Sequence, residues 1–414
     1  MMRLIYRLLT IIFISQNITA QQKNLEYYVG QGLQNSPLLK DYDGQMLLNR
    51  MDSMRIRASF GPQVQAVSNN SYAPVFNGWG YNEAITNGAN ISAVISVSQE
   101  IVSSKNRKNQ FEVLQWQNQS LTNSKKISEQ DLKKTITEQY IIVYGLWQLY
   151  TSNNDILNLL KKEDLIFRKL TERSLYKQTE YLTFLTALQQ QELLVLQTKI
   201  QIQNNFSILN YFCGIRDPSV VPIDEPQLTI ADLPILENSL FYQQFVIDSL
   251  KMVTNDKQID FLYQPKASVF ADAGYISSLV FQPAKNVGTS IGLSLSVPIY
   301  DGHQRKIQHN KIAMAEQTRK NYRDFFSNQY QQQIQQLLDQ LKGNQQVAEL
   351  AAKQIKVAQT LVDANHKLIE TGDAPVAESI LAINNLISAK SMIVQNTIEK
   401  YRIINQINYW SRKK

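Results

Sequence analysis

At 414 residues, with 43% hydrophobic residues and a formal net charge of +7, the chain could hold two or three ordinary domains or a repeat. The basic excess is dispersed apart from the short tail Arg412-Lys413-Lys414, so no stripe suited to nucleic acid is present. Cys213 is the only cysteine, which excludes an internal disulfide.

Arg3 and Arg7 precede a short apolar run, Leu8 to Ile14, and Ala20 closes Ile18-Thr19-Ala20 before a plausible cut. Residues 1–20 therefore read as a secretory signal peptide, with Gln21 as the mature start. No later segment gives 18 consecutive apolar residues, so a chain exported this way would cross a membrane by strands.

Residues 23–58 carry a helical pattern interrupted at Pro37, which predicts a short helix and a longer one capped by Asn35 or Ser36. Residues 63–72 read as a strand, 73–88 as a loop with Phe76, Trp79 and Tyr81, and 89–102 as a second strand with Ile91, Ala93, Ile95 and Val97 on one face. From Lys105 to Tyr211 there is no proline, and the apolar spacing predicts a helix from about 104 to 178 and a return helix closed by Gly214. Four prolines, Pro218, Pro222, Pro226 and Pro234, mark an extended segment.

The order then repeats. A helix is predicted to Leu262, a strand over 266–276, and a strand over Val287 to Ile299 whose odd positions are apolar or Thr and whose even positions are small. The pattern stops at Pro298, Asp301 and Gly302, and a long helix follows to a turn at Thr371-Gly372-Asp373. Ser296 to Gln308 and Ser98 to Gln110 match at five of thirteen positions, 198 residues apart, and Gly145 and Gly343 share that spacing. The turn aligns better at 193, which would make the first long helix about five residues longer. The organisation is then 1–20 leader, 21–215 first structural repeat, 216–235 Pro-rich linker, and 236–414 second repeat.

A helix over 104–178 would be roughly 110 Å long, beyond what a compact domain accommodates. The shorter helices of each half together nearly match it, so two can stack end to end beside each long one in a coiled-coil-like barrel or bundle. Four strands of about 10–13 residues suit a tilted crossing of lipid but cannot close a barrel. Open edges are not tolerated there, so the chain would oligomerise, with three copies giving twelve strands or four giving sixteen. Pro298 to Gly302 then becomes the strand-to-helix joint.

His303, His309 and His366 lack neighbours in metal-ligand spacing, so solvated or capping roles are expected. No P-loop, G-x-G-x-x-G or G-x-S-x-G occurs, so neither a cofactor nor an enzyme activity is expected. A non-channel periplasmic coiled-coil structural or adaptor protein is the alternative to a channel.

Four segments in this order carry a resemblance: LEYYVGQGLQNSPLL (25–39), GPQV (61–64), SLSVPIYDGHQRK (294–306) and TGDAPVAESILA (371–382). With the tandem halves, the chain resembles the TolC-like outer-membrane factors of efflux pumps and type I secretion systems. That resemblance implies a membrane α+β fold: a tandem-repeat protomer assembling as a homotrimer into a 12-strand β-barrel in outer-membrane lipid, continued by a 12-helix α-barrel. It implies a periplasmic tip formed by the turns, at Gln178, Thr179 and Glu180 and at Thr371, Gly372 and Asp373. There a periplasmic adaptor would couple the channel to an inner-membrane pump. Glu378 matches one acid of the family's aperture; Leu381 stands where a second is often found, and Ile369 and Ala374 replace the polar locking residues.

Overall fold

The computed structural model describes residues 23–80, 88–230, 233–279, 282–371 and 375–411. The leader, the basic tail, Gly372, Asp373 and Ala374 lie outside the described residues. The elements are helices α1 (Leu25–Asn35) and α2 (Pro37–Ser59), strands β1 (Gln63–Ala73) and β2 (Gly88–Ile101), and helices α3 (Ser104–Glu172) and α4 (Gln178–Cys213). The second half repeats them: α5 (Leu240–Leu262), β3 (Lys266–Ser277), β4 (Val287–Ser296), α6 (Gln304–Thr371) and α7 (Val376–Ser411). No helix among the described residues is long and apolar enough to cross a membrane.

Local chemistry explains these limits. The Asn24 side chain accepts the Tyr27 N–H and opens α1. Ser36 Oγ accepts the Leu39 N–H at 3.4 Å, and Pro37 takes the first position of α2, where its missing N–H costs nothing. Gly214, at φ +64°, closes α4.

Two expected boundaries are corrected. The alternation of 287–299 outruns the strand, which ends at Ser296. Its partner starts at Lys266, paired with Ser296, and Pro265 precedes it, so Val297 to Ile299 have no strand to pair with. The first long helix ends at Glu172 rather than near 178. Leu175 donates its N–H to Leu170 and Ser174 to Thr171, each at 2.9 Å, a Schellman closure with Ser174 at φ +61°. Sequence reading misses it because Ser stands where glycine is usual, and because Leu175 and Tyr176 continue the apolar pattern.

The offset of 193 disappears with that correction. Gln178 and Val376 open the return helices, and Cys213 and Ser411 close them, each pair 198 positions apart. Ser174 is thus the counterpart of Gly372. The glycine pair is not equivalent in packing: a Cβ on Gly145 would stand 2.1 Å from Ile398 Cδ1, whereas one on Gly343 would meet nothing within 4 Å.

Two compact units cut across the repeats. One draws on residues 1–40, 125–240 and 326–414, the other on 41–124 and 241–325. The first has two apolar centres. Around one, Tyr28, Ile136, Tyr140, Phe206, Leu209 and Tyr401 are buried, and the described linker residues lay Val220, Val221 and Ile223 on it. Tyr140 Oη donates to the Asp224 carbonyl at 2.9 Å, and Tyr401 Oη bonds Glu225, so two core tyrosines hold the linker. Around the other, Phe167 meets Tyr176 and Phe184 with ring centroids 5.4 and 4.6 Å apart, above Ile369, Val376 and Leu386.

The second unit holds one antiparallel sheet, in the order β1-β2-β3-β4. β1 and β4 are its edges.

Candidate functional site: sheet, joints and turns

The register sorts the sheet into two faces. Val97 faces Val64 and Ala271, and Ala271 faces Ile291, so Val64, Ala66, Ile91, Ile95, Val97, Val269, Leu293 and Leu295 share one side. That side carries no charged residue. The other carries Gln63, Gln65, the serines of β2 and β4, and all three charged residues of the sheet, Glu100, Lys266 and Asp272. Phe270 lies on it beside Gly292, where a Cβ would come within 2.3 Å of the Phe270 ring. On the apolar side, Ile291, Leu293 and Leu295 are 84, 79 and 70% exposed. A row of large apolar side chains left this open needs a non-aqueous neighbour.

Each strand pair hands over to a long helix through a joint. At the second, Asp301 accepts the N–H groups of His303 (2.9 Å) and Arg305 (2.7 Å), and Gly302 and His303 both adopt positive φ. Pro298 lies in the unpaired stretch after β4. Arg305 donates to Asp260 Oδ1 at 2.7 Å, and the ring nitrogens of His309 lie 2.6 Å from Asp256 Oδ1 and 3.1 Å from Asp260 Oδ1. The hydrogen bond to Asp256, then that to Asp260, holds the His309 pKa above the usual imidazole value. Arg305 holds the Asp260 carboxyl below its usual range. The counterparts at the first joint are Arg107, over the Phe60 ring at 5.9 Å, and Phe111, edge-on to Phe60 at 6.2 Å.

The first turn occupies Arg173 to Lys177. Gln178 and Thr179 are exposed at the start of α4, and Glu180 accepts the Lys177 N–H at 2.9 Å, capping that helix. At the other turn, Thr371 is exposed at the end of α6, and Glu378 is exposed in the first turn of α7. Glu180 and Glu378 therefore hold the same position, the third of each return helix. Ile369 is fully buried, and Leu381 is exposed. Between the return helices near these turns lies a hollow of ≈ 500 Å³ lined by Leu160, Thr186, Gln190, Ile380 and Asn384.

Sequence reasoning missed the partners of two histidines. Besides the His309 cluster, His366 Nδ1 lies 3.4 Å from Glu163 Oε1, and Glu163 is 1% exposed. Burial raises the Glu163 pKa and His366 opposes the shift. These partners lie about 50 and 200 positions apart, so no spacing rule reaches them. Instead of the expected solvated or capping roles, both histidines face carboxylates on neighbouring helices; only His303 sits at a helix start. No group of three or more His, Cys, Asp or Glu side chains suited to a metal ion occurs among the described residues.

No protein-family model matches the chain, and no curated protein matches it. A tandem protomer of long helices with a four-stranded antiparallel sheet is the fold of the TolC-like outer-membrane channels, and solved structures of that kind cover 94% of the chain. VceC of Vibrio cholerae, an outer membrane protein, matches with a TM-score of 0.76 at 13% identity over 96% of its own chain. The CmeC outer membrane channel of Campylobacter jejuni gives 0.75 at 12% over 86%, and the open state of MtrE of Neisseria gonorrhoeae gives 0.72 at 12% over 88%. At these identities the likeness is one of fold.

Proposed function

We propose that this protein is an outer-membrane duct, giving passive exit to the substrates of a tripartite efflux pump or a type I secretion system. The observation that carries this reading is the sheet: one face uncharged and open, every charge on the other, and both edge strands paired on one side only. In lipid such edges must be closed. Three copies joined β4 to β1 close twelve strands, with Leu293 and Leu295 toward the hydrocarbon and the serines toward a water-filled lumen. The helices continue the lumen into the periplasm, after export removes residues 1–20.

In this reading the turns meet a periplasmic adaptor, which an inner-membrane pump drives. The contact residues are Gln178, Thr179 and Glu180 and Thr371, Gly372 and Asp373. Glu378 is an aperture acid, and Glu180 is its repeat counterpart. No energy-coupling motif stands in the sequence, so the pump supplies the work.

Planar-bilayer recording of purified protein tests the proposal. The wild type and Ser294→Asp should insert and conduct. Leu293→Asp should insert severalfold less, because charge on the lipid face at mid-depth costs about 2–4 kcal/mol for Arg or Lys and somewhat less for Asp. A detergent-free, folded monomer or dimer without conductance would overturn the duct in favour of a periplasmic spacer.

A further inference from the structure

Of the three charged residues in the sheet, two lie together and one stands apart. Glu100 pairs with Ser268, which sets it diagonally across from Lys266 on the same face. Their opposite charges offset each other at the helix-side end. Asp272 lies six residues further along β3, about 20 Å from Lys266 at the rise of an extended strand. That exceeds the Debye length of about 8 Å at physiological salt.

The surroundings of Asp272 leave its charge uncompensated. Its lateral neighbours are Ser96 and Ser290, and Ser290 Oγ donates to it at 3.3 Å. Gly274 and Gly288 pair beside it, leaving an open hollow of ≈ 290 Å³ whose lining also includes Val94 and Ile276. No basic residue lines that hollow. A carboxylate on a low floor of glycine and serine projects its field into the space above the sheet.

We infer that Asp272 sets the charge selectivity of the membrane section, three copies ringing the lumen with three carboxylates that favour cations over anions. This rests on the duct reading above. A potential of about one kT in the lumen enriches cations and depletes anions by a factor of roughly three each. The effect should be largest in dilute salt, where the Debye length reaches about 30 Å at 0.01 M.

The test is the K⁺/Cl⁻ permeability ratio, read as reversal potential across bilayers in asymmetric dilute KCl. Asp272→Asn should lower the ratio at least about twofold at 0.01 M, and Asp272→Lys should lower it further. Asp272→Cys allows charge to be added after assembly. Cys213 is buried, with burial pushing its thiol up to about 12, so the new thiol is the reactive one. An anionic methanethiosulfonate reagent should raise the ratio toward wild type, and a cationic one should lower it. Conducting channels whose ratio ignores all of these changes would overturn the role of Asp272 and leave the duct standing. A wild type that never conducts would overturn the duct and this inference with it.

Discussion

The two strand-to-helix joints make the same step in the chain with different chemistry. Arg107 and Arg305 stand at equivalent places, as do Phe111 and His309. In the first joint the arginine lies over Phe60, and Phe111 meets the same ring. In the second the arginine and histidine converge on Asp260, with Asp256 as a further acceptor. An aromatic stack responds little to pH or salt, whereas half-exposed ion pairs respond to both. A backbone turn can thus be duplicated while the interactions that hold it are exchanged, and only one copy answers to the medium.

The largest expected effect is at the first joint. Phe60→Ala removes both ring contacts and should lower stability by about 1–3 kcal/mol, less than a fully buried ring because Phe60 is half-buried. Thermal unfolding of the detergent-solubilised protein should show this loss unchanged between low and high salt. A strongly salt-dependent loss would mean that Arg107, not the ring, carries the joint.

A smaller effect is expected from Asp260→Ala, which removes the acceptor shared by Arg305 and His309. Its side chain is 44% exposed, so the cost should stay under about 1 kcal/mol and shrink in 1 M salt. An equal cost at all salt concentrations would assign the residue to packing instead.

The smallest effect is the pH response. His309 has a folded pKa above its free value of about 6.5, so its contribution is complete below that pH and is lost as pH rises through the folded value. Asp260 has a lowered folded pKa, so its share is present above about 3.9 and fails as pH falls below that. The ionic joint should therefore be firmest between about pH 4 and 6.5. His309→Phe, which installs the residue of the first joint, should flatten the alkaline side of a stability–pH curve. A curve unchanged by this substitution would place the titrating group elsewhere.

Much of this fold was legible in the residues. The period of two in Val287 to Ser296 and Ile91 to Val97 located strands, because their inward and outward environments differ. The prolines and Gly214 marked helix ends, because each has one local backbone consequence. Glu172 as an end was not legible, since Ser174 adopts positive φ at a cost of about 1 kcal/mol that tertiary packing of Tyr176 offsets. The candidate site divides in the same way. The joint at Asp301 and Gly302 is local chemistry and could be read directly. The His309 cluster and the pairing of Glu163 with His366 exist only when distant helices meet. Which strand face gathers Glu100, Lys266 and Asp272 likewise needs the register of neighbouring strands.

β1 and β3 begin 203 positions apart, but from the strand-to-helix joints to the ends of the return helices the two halves keep a spacing of 198. Arg107 and Arg305, Ser174 and Gly372, and Cys213 and Ser411 keep it, although the residues between them have diverged almost everywhere. An inserted residue in a long helix turns every later side chain by about 100° and would bring Phe167 or Leu386 out of the core. Within these helices length is held more tightly than residue identity, so the internal repeat shows in the ruler rather than in the letters.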